Sequence, residues 1–492
     1  LGDTQGNPDI TCLANISGFE FNGYPYGSIK AEGTMKGNRL SGKIDVDDPN
    51  IKLSLDGFTK SANHISDISL TASIRNFSPS ATRLTGKWRD AVFNTDIITT
   101  LHGNGINNFT GELSLDNFSM QSPEESYTLD HLKISSDTGD GRERHLQMDS
   151  DFGTARLSGR FDVSTIYKSV INIIRKRLPT VPGLPAVSNG TNNRFDIVAD
   201  ISDTGWLDKL LGIPLHTDRD IKLKCTVDEA EKDLSIVCSM PSFRYDGKEY
   251  ADGTLSVTTG RESLHSEIEV TKTMDNGQKM KLTLIGNAAD DNLHTSFLWD
   301  NNETKKNISG RFNAVTRFGS NGKDAAGALV TTILPSHINL NNSTWNIEPS
   351  TITYTKDNVD VDRFAVTNGK QHIIIDGTAS KTAEDSVTID LHDIDVEYIL
   401  DLVNFHSVDF SGRASGTACI SAPFGNMAAH GNIIVDDFEF EHGRMGILNA
   451  NVDWDNEEKQ INISAIANDG PEVMTCIDGY VSPKRSYIDL GI

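Results

Sequence analysis

Apolar residues fall at every second position in Ile461, Ile463 and Ala465, and again in Val473, Ile477 and Val481, with Thr475 and Gly479 between them. A period of two is that of a strand with one buried face, because successive side chains point to opposite sides. Asp455-Asn456 and Asn468-Asp469-Gly470-Pro471 separate these runs with turn chemistry. The closing stretch 430–492 therefore predicts a meander of antiparallel strands. One unit within it recurs: an apolar residue, any residue, Gly, any residue, and commonly a second apolar residue. It appears at 40–44, 84–88, 109–113, 157–161, 284–288, 308–312, 375–379, 410–414 and 477–481, and Leu55-Asp56-Gly57 begins a further copy. Gly on an apolar face gives up packing, so it is expected where a strand bends, bulges or needs space beside it. Repeated this often, the unit predicts a mainly β fold built on one long, curved, mostly antiparallel sheet. The copies are unevenly spaced, which excludes a fixed-period solenoid.

Several of these runs resemble a known family. Gly446-Ile-Leu-Asn-Ala-Asn-Val452, Ile477-Asp-Gly-Tyr-Val-Ser-Pro483, Ile333-Leu-Pro-Ser336, Trp345-Asn-Ile-Glu-Pro-Ser350 and Ile373-Ile-Ile-Asp-Gly-Thr-Ala-Ser380 are similar to runs in the TamB-type, AsmA-like periplasmic proteins of Gram-negative bacteria. The resemblance spans the chain as a texture and is sharpest after Leu334. It implies a β-taco, a sheet folded into a hydrophobic groove. It also implies an inner-membrane-anchored bridge that supports phospholipid transport to the outer membrane, or assembly of proteins in it. The expected cargo is phospholipid acyl chains or unfolded outer-membrane protein. An outer-membrane barrel partner would engage a C-terminal region beyond these residues. Leu1 and the strand-like ending at Ile492 fit a middle fragment of such a protein.

Length allows about three ordinary domains, but no Pro/Gly/Ser-rich linker divides the 492 residues. The expected organisation is a β-groove segment over 1–162, a helix-containing insertion over 163–220, and a second β-groove segment over 221–492. The helix is read from Val163, Ile166, Tyr167, Val170, Ile171 and Ile174, which follow helical spacing. Asp162 or Ser164 can cap it; Arg175, Lys176 and Arg177 occupy its last turn and Pro179 stops it. Its apolar stripe is expected to pack on the sheet. Residues 179–194 read as a Pro-, Gly- and Asn-rich loop. Shorter helices are expected over 206–211, closed by Gly212 and Pro214, and over 396–403, opened by Asp395.

Acidic residues number 69 against 45 basic, a net charge of −24, which argues against nucleic acid as a partner. Chemistry finds no purchase. Gly37 to Lys43 has the outline of a phosphate loop, but Ile44 stands where Ser or Thr is required and the flanks alternate as strands. No G-x-S-x-G or H-E-x-x-H occurs, and the 13 histidines are scattered singly. The acidic runs 137–141 and 357–362 lack a calcium loop's closing Glu, having Met148 and Asn368 there. Nothing selects a pair of carboxylates for catalysis, so no catalytic residue, metal or cofactor is expected.

The cysteines lack metal-ligand spacing. A hairpin turning around 230–233 would pair Val227 with Ile236, Cys225 with Cys238 and Leu223 with Met240. Cys225 and Cys238 would then form either a disulfide or two buried thiols.

A long sheet with one apolar face must cover that face or use it, since burial is worth roughly 25 cal/mol per Å². Expected groove-lining residues are Leu223, Val227, Leu234, Ile236, Leu282, Leu284, Ile373, Ile375, Ile461 and Ile463. The rival reading is a structural or adhesive cell-surface β-sandwich protein whose apolar faces all pair off inside, which predicts linkers between domains of about 100 residues. A β-rich carbohydrate-active enzyme is a third reading and requires an acidic cleft.

Overall fold

The computed structural model describes residues 9–138, 143–187, 191–274, 276–304, 306–319, 328–341, 343–397, 409–482 and 487–491. These form one long antiparallel sheet of 31 strands, with a separate small hairpin at Glu20–Phe21 and Tyr24–Pro25. Sequential strands pair as neighbours, beginning with Ile10–Ile16 against Ser28–Lys36 and ending with Glu472–Ser482 against Tyr487–Gly491. The fold is thus the mainly β, long antiparallel sheet that the alternation predicts.

By compactness the chain divides into two units. Unit 1 comprises 1–176, 185–261 and 265–273; unit 2 comprises 177–184, 262–264 and 274–492. The stretch 163–220 does not stand apart from the sheet. Its strand Arg194–Ile201, whose Phe195, Ile197, Ala199 and Ile201 alternate like the rest, pairs on one side with Gly153–Arg160 and on the other with Ile221–Asp228.

The glycine units occupy two of the settings expected of them: Gly412 sits at a bulge of Phe410–Ser421, and Gly42 and Gly57 have a neighbouring backbone where a side chain would stand. Further bulges carry an extra residue at positive φ: Asn76 in Ile65–Phe77, Arg363 in Val359–Asn368, Asp393 in Ser386–Asp395 and Asp437 in Ala428–Phe440. A bulge leaves an N–H unpaired and tightens the twist, and here neighbouring side chains accept the freed donors. Asn94 Oδ1 takes the Asn76 N–H, Asp376 Oδ1 that of Arg363 and Ser415 Oγ that of Asp393, each at 2.9 Å. Pro335 sits inside Leu329–Leu340 where the partner changes from Ser343–Ile347 to Ser350–Tyr354, so its missing donor breaks no ladder on that side. The copy of the glycine unit at 84–88 is no strand at all; it lies in the turns between Ile65–Phe77 and Val92–Gly103.

The helix spans Ile166–Arg177. Asp162 opens it through its Oδ1, which accepts from the Ser164 N–H at 2.8 Å. The buried edge differs from the predicted stripe: Ser169 and Ile173 are buried while Tyr167 is 58% exposed. A carboxylate explains the rotation. Glu229, in the turn after Ile221–Asp228, accepts hydrogen bonds from Ser169 Oγ and Asn172 Nδ2, both at 2.8 Å, from the Thr191 hydroxyl and from the Asn193 N–H at 3.2 Å. Asn193 is itself buried and donates to Ser169 Oγ at 2.7 Å and Thr165 Oγ1 at 3.0 Å. The polar edge of the helix is therefore drawn inward. Residues 207–211 form a π-helical turn closed by Gly212 in the left-handed region. In the expected 396–403 helix, Val396 and Glu397 are helical and 398–403 lie outside the described residues.

Burial raises the Glu229 pKa, but the hydrogen bonds from Thr191, Asn172, Ser169 and Asn193 outweigh it and hold the carboxyl below its ordinary 4.5. Asp48 behaves alike: burial pushes it up, and Tyr24 Oη–H with the Asn50 and Gly27 N–H groups brings it below 3.8. A depressed folded pKa adds stability that is complete above the unfolded value and is lost as pH falls through the folded one. Thermal unfolding followed from pH 7 to 3 should thus show the melting temperature falling as pH drops below about 4.5. Glu229→Gln should cost roughly 1–2 kcal/mol at pH 7 and flatten the acid slope. An unchanged slope in the variant would reject the clamp.

Candidate apolar groove

Antiparallel register places directly paired residues on one face. Across unit 1 a single lane runs Cys12, Gly33, Gly42, Gly57, Leu70, Thr99 and Leu113, each paired with the next. It continues through Ile134, Met148, Ala155, Ala199, Leu223 and Cys238 to Leu255. No charged residue interrupts it. The opposite face carries the cross-strand ion pairs, such as Arg75–Asp96 at 2.7 Å and Lys133–Glu112 at 2.8 Å.

The lane's first portion is a trough. A hollow of about 390 Å³ is floored by Gly33, Gly42 and Gly57 and walled by Ala31, Leu40, Ile44, Leu55, Ile68 and Leu70. Its glycines are set by the neighbouring backbone: a methyl on Gly42 would come within 2.6 Å of the Glu32 carbonyl oxygen. Removing side chains from the middle of an apolar face deepens it. Leu40 remains 51% exposed and Ile44 39% exposed, although both belong to this face.

Unit 2 repeats the arrangement. Ile347, Val366, Ile373, Leu391, Gly416 and Ile433 pair in succession and lead on to Ala450, Ala465 and Ile477. Beside it runs Ile375, Ile389, Ala418, Gly431, Val452, Ile463, Gly479 and Leu490. A hollow of about 200 Å³ opens over the buried cluster of Phe410, Ala414, Val435, Phe438, Leu448 and Ala465, and only apolar side chains line it.

The predicted lining residues all fall on the apolar face but in different settings. Val227 and Leu234 are directly paired and fully buried, while Leu223 and Ile236 are half-buried. Leu282 pairs with Trp299 and Leu284 with Phe297; Leu284 is 40% exposed. Ile373 and Ile375 lie on the two lanes of unit 2 and are half-buried, as is Ile461. Of the ten, only Ile463 lines a hollow described above. The trough residues Leu40, Ile44 and Leu55 and the cluster around Phe438 lie outside the predicted list. Alternation at Ile51, Leu53 and Leu55 was the available signal for the trough.

The expected hairpin register is corrected. Cys225 faces Ile236, and Cys238 faces Leu223, because the turn occupies 229–232 with Lys232 at positive φ. The two sulfurs are diagonal neighbours, beyond disulfide reach, and all the cysteines are free thiols. The shift is two residues, so every side chain keeps its face. Burial pushes both thiols up, which makes them inert small hydrophobes.

Among the described residues no helix is long and apolar enough to cross a membrane. No family model, curated protein or solved structure matches this chain.

Proposed function

We propose that this chain is a segment of a periplasmic bridge whose apolar groove conducts or shelters hydrocarbon, without chemistry of its own. The reading is carried by one observation: Leu40 and Ile44 stay open to solvent on the apolar face, over a floor of glycines. A face kept apolar yet uncovered is costly in water and is a usual mark of a binding surface. Acyl chains suit it best. A polypeptide strand would bring N–H and C=O groups that a carbon-lined hollow cannot satisfy. The resemblance to the AsmA-like bridge family supports phospholipid transport toward, or protein assembly in, the outer membrane. In that setting the chain resides in the periplasm, joined to an inner-membrane anchor and, through another region, to an outer-membrane barrel.

Lipid extraction and mass spectrometry of the purified protein test this. Phospholipid should co-purify, and Ile44→Asp should reduce its occupancy roughly tenfold or more. Ile44 is already partly exposed, so the variant should unfold at nearly the wild-type temperature. Lipid-free wild-type protein, or occupancy unchanged by Ile44→Asp and by Ile463→Asp, would favour the structural β-protein instead.

A further inference from the structure

The apolar face of unit 1 continues past the lane. Phe93 stands six residues along Val92–Gly103 from Thr99 and on the same side, roughly 20 Å away. Through it runs a second row, Phe77, Phe93, Met120 and Tyr127, each paired with the next. Rings meet along it, Phe77 with Phe93 at 6.4 Å and Phe93 with Phe118 at 6.1 Å. The trough lies open, but this end is covered: Met120 is 3% exposed.

The cover is the connection 78–91, between Ile65–Phe77 and Val92–Gly103. Trp88 stands edge-on to Phe93 at 5.6 Å, and its indole N–H donates to the Leu210 carbonyl oxygen at 3.1 Å. Leu210 follows Arg194–Ile201, and four strands separate that strand from Val92–Gly103. Across a flat sheet the two would be roughly 24 Å apart. Their connections therefore lean together over the face and meet as a bridge. Arg83 ties the bridge on its other side, its Nη1 donating to the Gly23 carbonyl oxygen at 2.7 Å.

The bridge has the marks of a moving part. Its ends are fixed: Thr82 and Ala91 are buried, and Thr82 Oγ1 donates to the Ser78 carbonyl oxygen at 2.7 Å. Between them every residue except Thr85 and Trp88 is exposed. Arg83, Trp88 and Asp90 take φ of +56°, +55° and +59°, a region that bulky side chains avoid. Such strain persists only where outside contacts hold it, and it gathers at segments that switch. In the connection that carries Leu210, Trp206 Nε1 is buried with no acceptor among the described residues, which is costly in a settled core.

We propose that residues 83–90 form a gate over the aromatic end of the groove. Closed, it is latched by Trp88 on Leu210. Open, it swings between Thr82 and Ala91 and bares Phe77, Phe93, Met120 and Tyr127 to hydrocarbon arriving along the apolar face. The ligand rests on the groove reading above; the motion does not.

Met120 reports the motion without a label, since a buried thioether is shielded from peroxide until it is exposed. In the whole 492-residue chain, peptide mass spectrometry should show Met120 oxidising far more slowly than Met35, which is 40% exposed. Trp88→Phe keeps a ring on Phe93 and removes the donor. Met120 should then oxidise roughly fivefold faster or more, the equivalent of one hydrogen bond. Arg83→Gln, at an exposed position, should act in the same direction and decides alone if Trp88→Phe fails to fold. Photocrosslinking with a diazirine-tipped fatty acid gives the second readout. Attachment near Phe93 and Met120 should rise in these variants, and attachment to the trough around Ile44 should not. Wild-type oxidation of Met120 in both variants overturns the gate. Faster oxidation with crosslinks at the trough alone overturns it as an entrance to the groove. Faster oxidation with no crosslink anywhere upholds the moving cover while the groove reading fails.

Discussion

Alanine at Gly111 is expected to lower the free energy of unfolding by about 3 kcal/mol, from a strained backbone and an overpacked strand pair together. Gly111 sits in Thr110–Gln121 opposite Leu101, at φ +125°, outside the regions an L-residue favours. A methyl there would overlap the Thr100 carbonyl oxygen and lie within 3.1 Å of the Leu101 Cα. Those atoms are backbone held by the ladder on both sides, so relief requires the strands to part. Gly86 is the control. It belongs to the same sequence unit, yet it lies in a loop with nothing within 4 Å of an added Cβ and without positive φ. Gly86→Ala should shift stability by less than about 0.5 kcal/mol. Denaturant titration of both variants checks the pair, with the midpoint read at constant slope. Equal, small effects would mean that the recurring glycine is permissive in the strands as well.

That contrast shows what was legible in the chain. Period-two alternation identified the strands because it depends only on neighbours along one strand, and Ile461 and Ile463 fall on the apolar face for that reason; in the run Ile373-Ile374-Ile375 alternation chooses no face, and pairing with Leu391 and Ile389 does. Register depends on the turn, and the four-residue turn 229–232 moved the pairing of Cys225 by two residues without moving its face. The glycine unit marks close approach of a neighbouring backbone at Gly42, Gly57 and Gly111 and a bulge at Gly412, two of the roles its place on an apolar face predicts; further bulges fall at Asn76, Arg363, Asp393 and Asp437, where Asn and Asp tolerate positive φ but alternation along one strand does not locate the extra residue. The Glu229 clamp joins residues up to 60 positions apart, so the polar edge it pulls inward could not be read from helical spacing. Arg144 was equally opaque: one arginine among 45 basic residues becomes distinctive only when its burial is known.

The largest loss of stability is expected from Phe438→Ala, about 3–5 kcal/mol. Phe438 is 2% exposed and packs with Phe410 at a centroid separation of 5.7 Å, while Phe410 packs with Phe440 at 5.6 Å. Truncation removes a ring from the cluster that floors the 200 Å³ hollow of unit 2. The variant also separates a closed core from a groove. In a closed core the new void is sealed, and added hydrocarbon reaches it slowly. In an open groove the void extends a hollow that is already apolar and accessible, so a fatty acid or alkane should enter and restore part of the lost stability. Mass action sets the scale: ligand at 100 times its dissociation constant contributes about 2.7 kcal/mol. Thermal melts of wild type and Phe438→Ala with increasing dodecane or laurate measure this directly. A larger ligand-induced rise in the variant than in the wild type is expected. No rise in either protein would place Phe438 in a sealed core and remove the hollow of unit 2 from the groove.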